Sequence, residues 1–282
     1  MKAADHFCWT KENGIQLLEI QPWKAGKQIY GCFTTRVGGV STGNFDGLQV
    51  GLHVGDQTAH ILQNRSRICE TIGVGLCQWV AAEQVHGDQI AIVTASDQGK
   101  GSETKESAIP ACDAMITNEH GIVLTTYAAD CVPLLFYSPA GVVATAHAGW
   151  KGTVQNIAGK TIQQMQQRFG CLAEEIQVAI GPSIGACCYE VDEVVYQAFA
   201  KLNLTDVLTP VEGKEELHWM CDLWLANKQL LLRAGVSDEN IFVSELCTSC
   251  RTDLFFSHRK EKGKTGRFMG IVYLPEHGFL GE

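Results

Sequence analysis

The sequence predicts an α+β fold, with strands and helices mixed along one domain that spans residues 1–282. Two apolar runs, Val132 to Tyr137 and Val142 to Ala146, flank the turn formers Ser138 to Gly141, which is typical of a β-hairpin. The last third of the chain alternates strand and helix signals. No Pro/Gly/Ser-rich linker, charge block or repeat divides the 282 residues, so we expect a single domain with a sizeable core.

The first part of the chain is predicted to contain three strands and one helix. Ile29 to Thr34 has the composition of a short strand. Asp56 is placed to cap a helix that runs to about Ile72, because apolar residues follow it at helical spacing. Trp79 to Val85 and Gln89 to Thr94 are the next two predicted strands.

The middle of the chain is predicted to bring Cys131 and His147 together. Strands from Asp113 to Thr117 and from Ile122 to Thr126 lead into the hairpin. A four-residue loop would place Val132 opposite His147, and a five-residue loop would place Cys131 there. Since cross-strand neighbours lie roughly 4.5 to 5.5 Å apart at Cβ, either register puts the cysteine and the histidine at the same end.

A helix is predicted to follow the hairpin. Apolar residues recur at helical spacing from Val154 to Phe169, and Gly170 is the expected C′ residue. The backbone N–H groups at the start of this helix, beside Lys151, are a candidate anion site next to the Cys/His pair.

The C-terminal third is predicted to alternate strands and helices. Its helices are expected to be capped by Asp192 and Asp222, and Gly235 is expected to end the second one. The predicted strands are Glu175 to Ile180, Ile241 to Leu246 and Phe268 to Leu274.

Charge and hydropathy favour a cytoplasmic protein that binds small molecules. Asp and Glu number 31 against 22 Lys and Arg, a net charge of −9, and no basic patch is interleaved with aromatic residues, so we expect no nucleic-acid partner. The N-terminal residues lack the apolar segment of a signal peptide, and no run approaches the ~18 apolar residues of a membrane span. No membrane association and no protein partner are predicted.

Twelve cysteines in a chain of this length are predicted to be reduced thiols, most of them in the core. The adjacent pair Cys187 and Cys188 is interpreted as two small buried thiols. Cys247 and Cys250 form a lone C-x-x-C, which does not indicate a zinc site without a second pair.

His86, Cys131 and His147 are the candidate metal ligands and catalytic residues. Each is expected at the end of a different strand, which suits a site assembled by the fold. Two imidazoles and one thiolate leave the fourth position of a zinc ion open, which is the catalytic arrangement. For a single histidine such as His86, a hydrogen-bonded structural role is the commoner explanation.

A glycine-rich segment from Arg36 to Gly55 suits a loop whose backbone approaches a ligand such as phosphate, although a long connecting loop is the simpler interpretation. Arg259 could face a ligand or belong to a solvated charge run. Arg36, Lys151 and Arg259 are the candidate phosphate-binding residues.

Five motifs occur in one order along the chain, and together they resemble the YfiH-like, laccase-domain family over nearly its whole length. They are Thr35 to Ser41, Gln84 to Gly87, Ala129 to Cys131, His147 to Gly152 and Ile180 to Gly185, with Cys247-Thr248 and Phe256 to Arg259 as further matches.

The resemblance implies a layered α/β/β/α arrangement of mixed sheets flanked by helices. It places the family's metal ligands on His86, Cys131 and His147. Members are described as purine nucleoside phosphorylases acting on adenosine, inosine and S-methyl-5′-thioadenosine, with adenosine deaminase activity, and earlier as polyphenol oxidases. Two positions depart from the pattern: Gln49 stands where Asn is expected, and Lys151 where Arg is common.

Four functions compete. The first is a zinc-dependent nucleoside enzyme that uses phosphate. The second is a copper polyphenol oxidase, but multicopper sites usually need H-x-H pairs, which the nine histidines do not form. The third is a cysteine-dependent amidase acting on a peptidoglycan precursor, with Cys131 as nucleophile, His147 as base and His86 or Asp130 orienting the base. The fourth is a non-catalytic zinc-stabilised binding module. Zinc is the expected cofactor, with copper as the alternative.

Overall fold

A computed structural model describes residues 6–26, 28–213 and 217–276. The strands in the first half are β1 (Phe7–Glu12), β2 (Ile15–Ile20), β3 (Tyr30–Thr34), β4 (Trp79–Val80), β5 (Ile90–Ile92), β6 (Ala114–Thr117), β7 (Val123–Ala128) and β8 (Val132–Ser138). Those in the second half are β9 (Val142–Ala148), β10 (Gln177–Ile180), β11 (Glu190–Val191), β12 (Leu208–Pro210), β13 (Trp219–Cys221), β14 (Ile241–Val243) and β15 (Phe268–Tyr273). The helices are α1 (Gln21–Gly26), α2 (Thr58–Ile72), α3 (Trp150–Val154), α4 (Ile157–Phe169), α5 (Glu193–Ala200) and α6 (Leu223–Arg233).

The described strands form two six-stranded sheets and one small sheet. The first sheet has the order β1-β2-β3-β15-β7-β4, and the second has the order β14-β10-β8-β9-β6-β5. The small sheet has the order β11-β13-β12. Both large sheets contain parallel and antiparallel neighbours, so they are mixed sheets, as the family resemblance implied.

The two large sheets pack face to face around a shared core. Its buried side chains come from both sheets: Leu18, Phe33, Leu124 and Val272 from the first, and Met115, Leu135, Val143 and Ala179 from the second. Helices cover the outer faces: α2 packs its Ile68 and Ile72 on the first sheet, and α4 and α6 pack on the second. The α/β/β/α layering and the α+β class are confirmed.

The position of β8 and β9, buried on both faces, explains why their sequences are unbroken apolar runs. Because successive side chains point to opposite faces, Leu134 and Phe136 pack under the helices while Leu135 packs between the sheets. Every residue of both strands is buried. A strand buried on two faces reads as a continuous apolar run.

The hairpin itself is confirmed, but both predicted registers are wrong. His147 lies opposite Pro133, and the pairing continues to Ser138 opposite Val142. The loop therefore has three residues and ends at Gly141, whose φ of 74° suits the left-handed position of such a loop. Cys131 and His147 still lie at the same end of the hairpin.

The single helix predicted after the hairpin is two helices, α3 and α4. Asn156 separates them with a left-handed φ of 59°, and its side chain accepts a hydrogen bond from the Gly159 N–H. Gly170, with φ of 69°, ends α4 as predicted. The predicted caps Asp192 and Asp222 are also confirmed, since each side chain accepts a hydrogen bond in the first turn of its helix.

Two predictions in the first half are wrong at their boundaries. Asp56 does not cap α2, because the N-cap residue is Gln57 and Asp56 Oδ2 accepts from the Ser41 hydroxyl instead. The strand predicted from Trp79 to Val85 ends at Val80. Beyond it the Gln84 side-chain amide pairs with the Tyr127 backbone at 2.7 and 2.8 Å, replacing the backbone ladder.

The cysteines are less buried than predicted. All twelve are free, but only six of them are buried. The interpretation of Cys187 and Cys188 as buried thiols is wrong, since Cys187 is exposed and Cys188 is half-buried.

Within the described ranges, we find no helix both long enough and apolar enough to cross a bilayer.

Candidate metal and active site

The structure brings His86, Cys131 and His147 together. Their potential ligand atoms all lie within 4.8 Å of one another, although the residues come from a turn after β4, the link between β7 and β8, and the end of β9. Cys131 Sγ is 3.8 Å from His86 Nε2, and the two imidazole rings meet edge to face with centroids 4.8 Å apart. This is the spacing expected of side chains that can share one ion or one proton.

Asp113, which no sequence motif indicates, holds both histidines in place. Its Oδ1 lies 2.9 Å from His147 Nδ1, and its carboxylate also accepts the backbone N–H groups of Val85, His86 and Gly87 at 3.1, 3.0 and 2.7 Å. With Nδ1 turned to Asp113, the other ring nitrogen of His147 is left for a ligand. A carboxylate behind a ligating histidine is the usual support of a metal site.

Glycine at position 149 leaves the space that the site needs. A Cβ added there would lie 2.9 Å from Cys131 Sγ and 3.1 Å from His86 Cδ2. Any other residue at 149 would therefore crowd two of the three candidate ligands.

The electrostatics favour a thiolate at Cys131. Desolvation opposes its charge, but the neighbouring His147 and His86 outweigh this and lower the pKa of Cys131 to about 6. Desolvation lowers the pKa of His147, but the Cys131 thiolate and the Asp113 carboxylate outweigh this effect and raise that pKa to about 9. Burial acts to raise the pKa of Asp113, but hydrogen bonds from His147 and Gly87 outweigh it and hold that pKa below its usual value, so the carboxylate stays ionised. A thiolate is the form of cysteine that binds metals and attacks electrophiles.

The site lies where two cavities meet. One has a volume of about 720 Å³ and the other about 260 Å³. Both are lined by His86, Asp130, Cys131, Ile184 and Tyr189. The larger cavity adds polar and cationic side chains, among them His53, Gln84, His258, Arg259 and Arg267, while the smaller adds Trp150 and Lys151.

Two of the three predicted phosphate residues reach these cavities. Lys151 lines the smaller one, with Nζ 5.7 Å from the centre of the Trp150 ring. Arg259 lines the larger one, where its guanidinium stacks on Tyr189 and donates to the Glu190 carbonyl. Arg267 also lines the larger cavity and was missed, because it precedes a strand without any motif.

Arg36 is outside both cavities. Its guanidinium donates to the carbonyls of Asp46 and Thr252, pairs with Glu261 at 3.0 Å and stacks on the ring of Phe256. These contacts tie the glycine-rich segment to the C-terminal loop, so the structure offers no support for a phosphate contact by this arginine.

Gln49 does not face the cavities either. It is fully buried, and its side chain bonds to the backbone of Gly51 and Arg267, two residues of the cavity wall. The presence of Gln49 where the family pattern has Asn therefore acts on the shape of the larger cavity's wall.

Asp130 supports the site from the other side. Its carboxylate accepts hydrogen bonds from the Thr248 hydroxyl and from the backbone N–H of Arg259, both at 2.6 Å. The backbone of Asp130 itself is left-handed, with a φ of 86°. The hypothesis that Asp130 orients His147 is wrong, because Asp113 occupies that position.

The layered fold and the His/Cys/His site define a class of protein that comparison with known families identifies. The family model described as multi-copper polyphenol oxidoreductase laccase matches residues 30–275, and the chain belongs to this family. A relative from Geobacillus stearothermophilus named purine nucleoside phosphorylase YlmD is 43% identical over 85% of this chain and 88% of its own length. A relative from an unknown prokaryotic organism named adenosine deaminase RL5 is 35% identical over 90% of this chain and 99% of its own length.

The fold is matched by a solved structure. The crystal structure of YlmD from Geobacillus stearothermophilus superposes with a TM-score of 0.89 and 40% identity, over 96% of this chain and 99% of that chain. The family resemblance carried by the motifs is therefore confirmed.

The family's description as a multicopper enzyme finds little support in the donor set. Among the described residues, the site gathers two histidines and one cysteine within ligand distance, and no further histidine joins that group. A cluster of several copper ions needs many more imidazoles.

Proposed function

We propose that this chain is a metal-dependent purine nucleoside phosphorylase for adenosine, inosine and S-methyl-5′-thioadenosine, with adenosine deaminase as a second activity. The observation that carries the proposal is the convergence of His86, Cys131 and His147 where a cavity of about 720 Å³ meets one of about 260 Å³. The names of the relatives, a purine nucleoside phosphorylase and an adenosine deaminase, support the same substrate class.

The two cavities suit two reactants of different size. The larger accommodates a nucleoside, and the smaller, with Lys151 at its wall, accommodates phosphate. Arg259 and Arg267 supply positive charge on the nucleoside side. A phosphate oxygen entering from the smaller cavity would form the bond to C1′ while the C1′–N9 bond breaks, and the purine leaves with its electron pair and takes up a proton.

The donor set fits a zinc ion, with copper as the alternative. Two imidazoles and a thiolate, backed by the Asp113 carboxylate and uncrowded at Gly149, are a typical catalytic ligand set. When bound, such an ion supplies a Lewis acid and lowers the pKa of water, which is the chemistry that deamination at purine C6 requires. Asp113 would hold His147 in one orientation throughout, and the anionic Cys131 would temper the charge of the ion.

The partners on this proposal are a nucleoside and phosphate, in a cytoplasmic protein without a nucleic-acid, membrane or protein partner. The net charge of −9 supports the proposed absence of a nucleic-acid partner, since it disfavours the binding of polyanions.

A cysteine-dependent amidase acting on a peptidoglycan precursor is the second candidate. It is favoured by the chain of contacts from Asp113 through His147 to Cys131, and by the pKa of about 6 at the thiol. In this alternative Cys131 attacks an amide carbonyl, His147 passes a proton to the leaving amine, and water then releases the acid.

The experiment compares the two on one preparation, purified without added metal. Its metal content is measured first, and adenosine, inosine and S-methyl-5′-thioadenosine are then supplied with and without phosphate. The proposal expects phosphate-dependent release of free base and phosphate-independent release of ammonia from adenosine, both abolished by chelator and restored by zinc. Turnover that survives complete metal removal would rule out the metal-dependent mechanism, and a substrate adduct on Cys131 would show that this thiol acts as a nucleophile.

A further inference from the structure

Four cysteines that are unremarkable in the sequence meet at one edge of the second sheet. Cys187 and Cys188 follow β10, and Cys247 and Cys250 follow β14. Since β10 and β14 are parallel neighbours, with Val178 opposite Ile241, the chain leaves both at the same end. The pairing extends into the two loops, because Ser183 forms an isolated parallel β-bridge with Cys247 and its backbone N–H donates to the Leu246 carbonyl.

The spacing of the four sulfurs matches a tetrahedral cation. All four lie within 4.8 Å of one another, with Cys250 Sγ 3.6 Å from Cys187 Sγ and 3.4 Å from Cys188 Sγ. Zinc–sulfur bonds of about 2.3 Å place tetrahedral sulfurs about 3.8 Å apart. A disulfide needs about 2.05 Å, so no pair of these sulfurs is bonded.

The surroundings are those of a supported site. Cys247 is buried, and its sulfur accepts the Gly185 N–H at 3.3 Å, a contact that orients a thiolate toward a metal. Cys187 and Cys250 are exposed, so an ion can enter from solvent. Neither cavity of the candidate active site is lined by any of the four.

We propose that Cys187, Cys188, Cys247 and Cys250 form a second metal site that binds one thiophilic divalent cation, with zinc the best match. Four thiolates close the coordination sphere, which is the arrangement of structural zinc rather than catalytic zinc.

The site would brace one wall of the active-site cavities. The loop that carries Cys187 and Cys188 also carries Ile184 and Tyr189, which line both cavities. The other loop carries Thr248, whose hydroxyl binds Asp130 next to Cys131. An ion bound by both loops would therefore hold Tyr189 and Asp130 in place beside Cys131.

The test removes the first site so that only the second can bind metal. The full-length Cys131→Ser variant, saturated with zinc and freed of excess ion, is expected to retain one zinc per chain by native mass spectrometry. Adding Cys250→Ser is expected to remove that zinc, whereas adding Cys77→Ser, at an exposed cysteine outside the cluster, is expected to leave it. Equal zinc content in the Cys250→Ser and Cys77→Ser double variants would overturn the proposal.

A second measurement uses the wild-type chain and does not depend on how variants fold. In zinc-loaded protein, alkylation of Cys187 and Cys250 is expected to be roughly tenfold slower than that of Cys77, and chelator is expected to remove the difference. Equal rates with and without chelator would count against the site. A disulfide between Cys250 and Cys187 or Cys188, persisting with zinc present, would show a redox pair in its place.

Discussion

Asp113 Oδ1 and His147 Nδ1 are joined by a 2.9 Å hydrogen bond between two side chains that are 0% and 4% exposed. The same carboxylate holds the backbone of the turn that carries His86. One buried acid therefore positions two of the three candidate ligands without contacting the cavities itself.

Asp113→Asn is expected to lower metal affinity and turnover by roughly 10 to 100-fold, because the amide removes the negative charge behind His147 and can no longer accept from both sides. Zinc titration and steady-state rates check this. Asp253→Asn is the control, since Asp253 is exposed and its carboxylate pairs with Arg251 at the surface. Equal behaviour of the two variants would show that Asp113 does not act on the site.

Gly149→Ala is expected to weaken metal binding by about tenfold or more while Tm changes little, because the new methyl meets Cys131 Sγ and His86 but no strained backbone. Calorimetric zinc binding and thermal unfolding measure the two effects. Gly26→Ala, where a Cβ meets nothing within 4 Å, is the matched control. A loss of Tm without a loss of affinity would contradict the interpretation.

Arg36→Ala and Lys151→Ala are expected to differ in kind. Arg36 holds two loops through its contacts with Asp46 and Glu261, so its loss is expected to lower the free energy of unfolding by about 1 to 3 kcal/mol. Lys151 is exposed at the smaller cavity, so its loss is expected to raise the Michaelis constant for phosphate and leave Tm unchanged. A specific phosphate defect in Arg36→Ala would reverse this assignment.

In metal-free protein, the alkylation rate of Cys131 is expected to rise through pH 6. The pKa of about 6 is depressed from the usual value, so the thiolate forms as pH rises past 6, and the rate should level off above pH 7. A free cysteine peptide, with a pKa of about 8.5, supplies the comparison at each pH. A midpoint for Cys131 at or above that of the peptide would show that His147 does not stabilise the thiolate.

Local signals were sufficient to predict most elements and the proximity of Cys131 to His147. Hairpin composition, the caps Asp192 and Asp222, and Gly170 all act within a few residues, and each was read correctly. The hairpin register was wrong because a three-residue loop ending at Gly141 competes closely with longer ones.

The features that were missed depend on contacts distant in sequence. Asp113 lies 34 residues from His147 and gave no signal beyond its place at a strand start. The pairs Cys187-Cys188 and Cys247-x-x-Cys250 have no meaning as one group until β10 and β14 are known to be adjacent. The structural contacts of Arg36 were also invisible in the sequence, since its partners Thr252 and Glu261 are more than 200 residues away.

The link from β7 to β8 carries the chain from the first large sheet to the second, and Cys131 sits on that link. His86 follows a strand of the first sheet, and His147 belongs to the second. A single ion bound by all three side chains would therefore cross-link the two large sheets and prevent one from sliding over the other. Loss of the ion is expected to permit that shear motion. Amide hydrogen exchange should then become faster in residues 129–131 before it does so in either sheet.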